Sequence, residues 1–210
     1  MAEIKINWVA CEDISIRDSA LECGFNLSTL DLYSLNQDRL DWVVNTVSKH
    51  ILDKVDSEWG YCNPKSKLGD IKNGLYVISF GGGICLNYSK GQSQVLYIGK
   101  GSVKARIKAH LGNWIMHFSE SLQDMCLTFH VTTVVVKNSK KPHGEVEYDF
   151  IEKFKEKFGE KPILNKNKGT YHSKTHSYSA KSLRPLNKKK RISYGWKISP
   201  MPKNDWFREL

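Results

Sequence analysis

The chain has 210 residues and a formal net charge of +10, with 40% hydrophobic and 26% charged residues. That length supports one domain with extensions, and the proportions are ordinary for a soluble globular protein. No apolar run approaches the roughly 20 residues of a membrane span. The start, MAEIKINWVACED, has no basic head followed by an apolar run and a cleavage site, so it does not read as a signal peptide. Cys11, Cys23, Cys62, Cys85 and Cys126 contain no Cys-x-x-Cys pair. An odd, unpatterned set points to reduced thiols in a cytoplasmic protein rather than a disulfide or zinc framework.

Residues 1–35 give weak signals. Ile4, Ile6, Trp8, Ile14 and Ile16 hint at short strands, and Ser19 to Cys23 at a helical turn. From Asn36 the pattern sharpens: Leu40, Val43, Val44, Val47, Ile51, Val55 and Trp59 follow helical spacing, with Asn36 or Ser34 as cap. This long amphipathic helix either packs onto the core or forms a dimer surface. Tyr61 to Asn73, with Pro64, Gly69 and three lysines, reads as a linker or a loop facing a ligand. Gly74–Phe80 and Gln94–Gly99 are β-rich runs, and the Gly/Ser-rich stretch between them favours an antiparallel hairpin. Lys100-Gly101 then makes a turn, with Ser102 as N-cap of a helix over Val103 to Leu111. Trp114 to Gln123 reads as a short helix. Met125 to Val136 is a long β-branched strand expected at the sheet centre. A helix follows from about Gly144 to Phe158, its buried stripe marked by Val146, Phe150, Ile151, Phe154 and Phe158. Gly159 is its stop.

The ordered set Gly74-Leu75-Tyr76, Tyr97-Ile98-Gly99-Lys100, Arg106 with His110, Glu147 ahead of the apolar pair Phe150-Ile151, and Pro162-Ile-Leu-Asn165 resembles the GIY-YIG nuclease domain. Leu75 stands where isoleucine is usual; the second motif matches letter for letter. The resemblance covers roughly residues 72–168. It implies an α+β fold with a small, three-stranded, mainly antiparallel sheet flanked by helices. Residues 1–71 would be an N-terminal extension and 169–210 a basic C-terminal one. Two departures stand out: twenty residues separate the two strand motifs, and Tyr97 to Arg106 is nine steps rather than the common ten. The first implies an inserted loop in which Ile84, Leu86 and Tyr88 extend the hairpin or reach DNA.

Phosphodiester hydrolysis needs a base, charge stabilisation at phosphorus and neutralisation of the leaving oxygen. A divalent cation can do the last two, and Mg²⁺ accepts one carboxylate plus phosphate oxygens and waters. The resemblance assigns that carboxylate to Glu147, with Mg²⁺ or Mn²⁺ as cofactor. Arg106 offers a permanently charged fork for the scissile phosphate. A tyrosine can act as base only if its proton, with a free pKa of about 10, is taken elsewhere. Tyr76 is favoured as base, assisted by His110, with Tyr97 orienting water or phosphate. Lys100 would screen charge near the nucleophile, and Asn165 would position the site through hydrogen bonds.

Charge is unevenly placed. Residues 1–60 hold 11 acidic and 5 basic residues, a balance of −6, which leaves +16 for residues 61–210. Lys161 to Lys203 carries twelve Lys/Arg and no acid, the footprint of a polyanion partner. Lys166, Lys168, Lys174, Lys181, Arg184, Lys188, Lys189, Lys190 and Arg191, interleaved with Tyr171, Tyr178, Tyr194 and Trp196, are the expected contacts to double-stranded DNA. His172-x-x-x-His176 has the spacing of a metal pair, but no Cys or carboxylate stands near it in sequence, which argues against a site. The expectation is a restriction-type, metal-dependent DNA endonuclease. The alternatives are a less specific mobile-element or repair nuclease, an inactive nucleic-acid-binding module on the same fold, and a basic RNA-associated protein.

Overall fold

A computed structural model describes residues 3–27, 30, 32–115, 125–137, 139–167, 169–187 and 196–198. The fold is α+β. Its elements run β1 (Glu3–Ile4), β2 (Val9–Ser15), α1 (Ile16–Glu22), α2 (Gln37–Cys62), β3 (Gly74–Phe80), β4 (Ile84–Tyr88), β5 (Gly91–Ser93), β6 (Val95–Gly101), α3 (Val103–His110), β7 (Cys126–Thr133), α4 (Pro142–Phe158), β8 (Ser177–Tyr178) and β9 (Trp196–Ile198). No helix among the described residues is long and apolar enough to cross a membrane, and none of the five cysteines is in a disulfide.

The central sheet has the order β2-β7-β3-β6 and is antiparallel throughout. It therefore has four strands, not three: β2, from the N-terminal segment, adds to the free edge of β7. The signal for β2 was faint because Val9–Ser15 carries Glu12 and Asp13 on its exposed outer stretch. A bulge between Cys11 and Ile14 absorbs them. β3 is buried along its whole length, since helices cover both faces. Tyr76 and its β7 neighbour Val131 face α3, while Val77 and its neighbour His130 lie on the side of Trp8 and the α4 residue Phe150. The strand expected to continue through Val134-Val135-Val136 stops at Thr133, and Val135 is 86% exposed.

α2 is capped as its sequence requires: the Asn36 side chain accepts a hydrogen bond from the Arg39 amide. Its apolar stripe, from Val43 through Val47 and Ile51 to Trp59, is buried in the core. Ser102 sits at the cap of α3 but makes no side-chain cap bond; the Val103 amide donates instead to the Ile71 carbonyl. The insertion between the strand motifs turns inward. Ile84, Leu86 and Tyr88 are buried; β4 pairs antiparallel with β5 just inside the β3–β6 pair, so the insertion continues the hairpin, in a second small sheet of order β5-β4-β9. Tyr88 donates to the Val95 carbonyl and accepts from the Ile163 amide. The helix expected over Trp114 to Gln123 falls mostly outside the described residues; Leu111–Ile115 forms a single π-type turn.

The described residues of 169–187 fold back onto the domain. β8 pairs with β1 in parallel. The buried Ser182 hydroxyl accepts from the Ile6 amide, and its carbonyl accepts from the Trp8 indole. Tyr171 and Tyr178 are among the aromatics expected at a nucleic-acid surface. Tyr171 is exposed, whereas Tyr178 packs edge-on against Phe150.

Gly74 sets the spacing between β3 and α3. A Cβ there would lie 2.5 Å from Val103 Cγ2, 2.6 Å from Ile71 Cγ2 and 3.0 Å from the Thr132 carbonyl. Gly74→Ala is therefore expected to destabilise the fold by about 1–3 kcal/mol through overpacking, seen as a lower thermal midpoint. An unchanged midpoint would show that α3 can move away freely.

Candidate active site at the edge of the central sheet

The β3–β6 register places Tyr76 directly opposite Gly99. A side chain at Gly99 would meet the Tyr76 ring and hydroxyl at 2.5 Å and the Tyr97 ring at 2.5 Å. Both tyrosine rings thus lean over the glycine, stacked with centroids 6.0 Å apart. From α3, His110 closes the group. Its ring centroid is 4.3 Å from that of Tyr97, and its Nε2 lies 3.0 Å from the Tyr76 hydroxyl. Arg106 is one turn earlier on the same helix face, exposed, with its charge close enough to Tyr76 for the two to interact electrostatically.

These neighbours shift one another. Burial, with the Tyr97 hydroxyl beside it, pushes the Tyr76 phenol well above its ordinary value. Burial and the Arg106 charge bring His110 down to about 4, so the imidazole is neutral at physiological pH. A neutral ring can accept the Tyr76 proton at Nε2 while keeping its own on Nδ1. Interaction with Tyr76 raises the Arg106 pKa, keeping it charged.

Glu147 approaches from the other side of β6. The residue is 8% exposed, and its Oε2 lies 3.0 Å from Lys100 Nζ. Lys100 also donates to the Thr170 hydroxyl at 3.2 Å. Burial raises the Glu147 pKa, against the pull of Lys100 and the charge of Arg106. Glu147 and the Arg106–Tyr76 pair therefore sense each other electrostatically across the strand. Gly169, at φ +80°, brings its backbone close to the Glu147 carboxylate and to Tyr148, a conformation that favours glycine. Asn165 seals the outer edge of β6. Its Oδ1 accepts from the Ile98 amide at 2.9 Å and its Nδ2 donates to the Ile98 carbonyl at 2.7 Å. This imitates one rung of a β-ladder.

Tyr76, Tyr97, Lys100, Arg106, His110, Glu147 and Asn165 thus converge on one end of β6. The proposed DNA contacts are more scattered. Lys166 and Lys181 are exposed, Arg184 is exposed 3.9 Å from Glu12, and Lys174 is paired with Glu145 at 2.7 Å. Lys168 and the run Lys188 to Arg191 lie outside the described residues. Thr170 and Gly169 escaped the sequence reading, because neither type carries a chemical signature alone. So did His143, which with Lys100, Lys141, Thr170, Tyr171 and His172 lines a cavity of about 410 Å³ next to Glu147.

A second cluster lies on the flank of α4. Asp149 Oδ1 is 3.1 Å from His172 Nε2, and Oδ2 is 2.8 Å from His176 Nδ1. Asp149, His172 and His176 form a group whose ligand atoms all lie within 4.8 Å of one another. The carboxylate found wanting near the His-x-x-x-His pair is therefore present; it comes from a helix more than twenty residues earlier in the chain.

Comparison with protein-family models, with curated proteins and with solved structures found no match.

Glu147 has a folded-state pKa raised by burial, so ionising it opposes folding above its ordinary titration range, and protonation at lower pH relieves that cost. Glu147→Gln is accordingly expected to raise the thermal midpoint at neutral pH without divalent metal, by an amount that shrinks as pH falls through the carboxylate range. A lower midpoint at pH 7 would mean that the Lys100 ion pair outweighs desolvation.

Proposed function

We propose that this chain is a metal-dependent DNA endonuclease with a GIY-YIG core that hydrolyses phosphodiester bonds, with sequence-specific, restriction-type cleavage as its activity. The observation that carries this reading is the hydrogen bond from Tyr76 to a neutral His110 beside Arg106, with Glu147 reaching the same strand end. Four groups from three separate sequence motifs meet there, and their types answer the needs of phosphodiester hydrolysis.

Water attacking phosphorus gives its proton to the Tyr76 oxygen as Tyr76 passes its own to His110 Nε2, which avoids a free phenolate. A phosphate seated on Arg106 partly cancels the charge that depresses His110, so the imidazole becomes a better acceptor once substrate is bound. Arg106 holds non-bridging oxygens with its fork. Tyr97, half-buried over the same glycine, orients water or phosphate.

One carboxylate with few protein neighbours fits Mg²⁺ or Mn²⁺, which take hard oxygen ligands and retain waters. Glu147 would hold the cation together with phosphate oxygens, and Lys100 would release or share the carboxylate. The cation would supply charge neutralisation at the leaving oxygen. Asn165 keeps β6, and with it Tyr97, Gly99 and Lys100, in register. The positive balance of residues 61–210 supports a duplex partner, held mainly through phosphates.

Purified protein incubated with plasmid and phage DNA is expected to yield discrete fragments with Mg²⁺ and none with EDTA. Arg106→Ala should slow cleavage by roughly 10²–10³-fold while DNA is still retained. Unspecific nicking that needs the same arginine would favour a mobile-element or repair role. Retention of DNA without any cleavage would favour a binding module, a reading that the complete burial of Tyr76 also suits.

A further inference from the structure

We propose that Asp149, His172 and His176 form a transition-metal site, suited to Zn²⁺, that clamps the segment after residue 169 onto the flank of α4. Asp149 is two residues from Glu147 on the helix, so the two carboxylates point to different sides. The site is thus separate from the one that would hold Mg²⁺.

The donor set carries the argument. Two imidazoles and one carboxylate match Zn²⁺, Co²⁺ or Ni²⁺, not Mg²⁺. The His172 and His176 side chains are only 11% and 9% exposed, and Asp149 16%. Such burial of three titratable groups on one point is expensive unless they are hydrogen-bonded or metal-bound. Ligands at about 2.0–2.1 Å from zinc lie about 3.3 Å apart on a tetrahedron. Asp149 meets His172 through Oδ1 at 3.1 Å and His176 through Oδ2 at 2.8 Å, and one ligand atom from each of the three residues lies within 4.8 Å of the other two, so small side-chain rotations bring them onto one ion. His172 Nε2 and His176 Nδ1 would be the ligating atoms; His172 Nε2 now donates to the Glu145 carbonyl at 3.0 Å, a bond that metal binding would replace.

The surroundings are those of a built site. Glu145 Oε2 is buried, makes no hydrogen bond and lies 3.5 Å from His176 Nε2, the nitrogen facing away from Asp149. A carboxylate there favours the tautomer with the proton on Nε2, which leaves the Nδ1 lone pair for a metal. The Tyr178 hydroxyl donates to Asp149 Oδ2 and orients that carboxylate, and the His172 and His176 rings lie 5.1 Å apart. The fourth position would be taken by water. Binding would displace the protons now shared between the imidazoles and Asp149. Its consequence is positional: the residues it fixes run directly from Thr170, whose hydroxyl accepts from Lys100, the ion-pair partner of Glu147.

The test is titration of chelator-stripped, full-length protein with Zn²⁺ by calorimetry and with Co²⁺ by visible absorption. One equivalent of either is expected, with ligand-field bands for Co²⁺ and a rise in thermal midpoint with Zn²⁺. Asp149→Asn and His176→Gln, each shown to be folded by circular dichroism, should lose that equivalent, and Glu147→Gln should keep it. Absence of saturable binding by the folded wild type, or binding unchanged in both folded variants, overturns the proposal. If either substitution prevents folding, Co²⁺ bands in the wild type that show no histidine ligation by paramagnetic NMR overturn it equally. None of these readouts depends on DNA cleavage.

Discussion

The structure turns on a close approach: two tyrosine rings resting on a glycine. Because Tyr76 faces Gly99 across the β3–β6 ladder, the only residue that leaves room for both rings is one without a Cβ. That packing directs the Tyr76 hydroxyl toward α3, where His110 and Arg106 stand one turn apart. The helix in turn lies near enough only because Gly74 lets Val103 and Ile71 come against the strand. The motif glycines are thus spacing elements. Their effect is to bring a phenol, an imidazole and a guanidinium into one group at the open end of an edge strand.

The electrostatics follow from that packing. Burial and the Arg106 charge keep His110 unprotonated; burial also holds Tyr76 protonated and raises Glu147. At neutral pH only the Glu147 shift opposes folding, since Tyr76 stays protonated and His110 neutral in either state, and shifted groups that share a site are a common accompaniment of function. Lys100 and Arg106 only partly offset the desolvation of Glu147. A buried carboxylate left with a raised pKa is suited to gain a further positive partner.

Much of the fold was legible because its signals were local. The helical stripe from Val43 to Trp59, the Asn36 cap, the two strand motifs and the Gly159 stop, with its φ of +88°, each depend on neighbours a few residues away. The elements that escaped depend on distant partners. β2 reads poorly since its acidic middle is accommodated by a bulge against β7. For the inserted stretch the sequence left two courses open, an extended hairpin or a reach toward DNA; Tyr88, hydrogen-bonded to Val95 and Ile163, turns it inward as a continuation of the hairpin. The candidate site shows the same division. Its seven residues were each marked by motif and order, whereas Asp149 beside His172 and His176 could not be seen: their meeting needs the chain to return to α4 across more than twenty residues.

The most direct test of the account is the single-turnover cleavage rate of Tyr76→Phe on duplex DNA with Mg²⁺, measured beside its DNA affinity. The substitution keeps the ring over Gly99 and removes only the hydroxyl that meets His110. The account predicts a rate lower by roughly 10²–10⁴-fold with affinity and thermal midpoint near those of the wild type. Cleavage at the wild-type rate would contradict it, and would remove Tyr76 and its imidazole partner from the path of the proton.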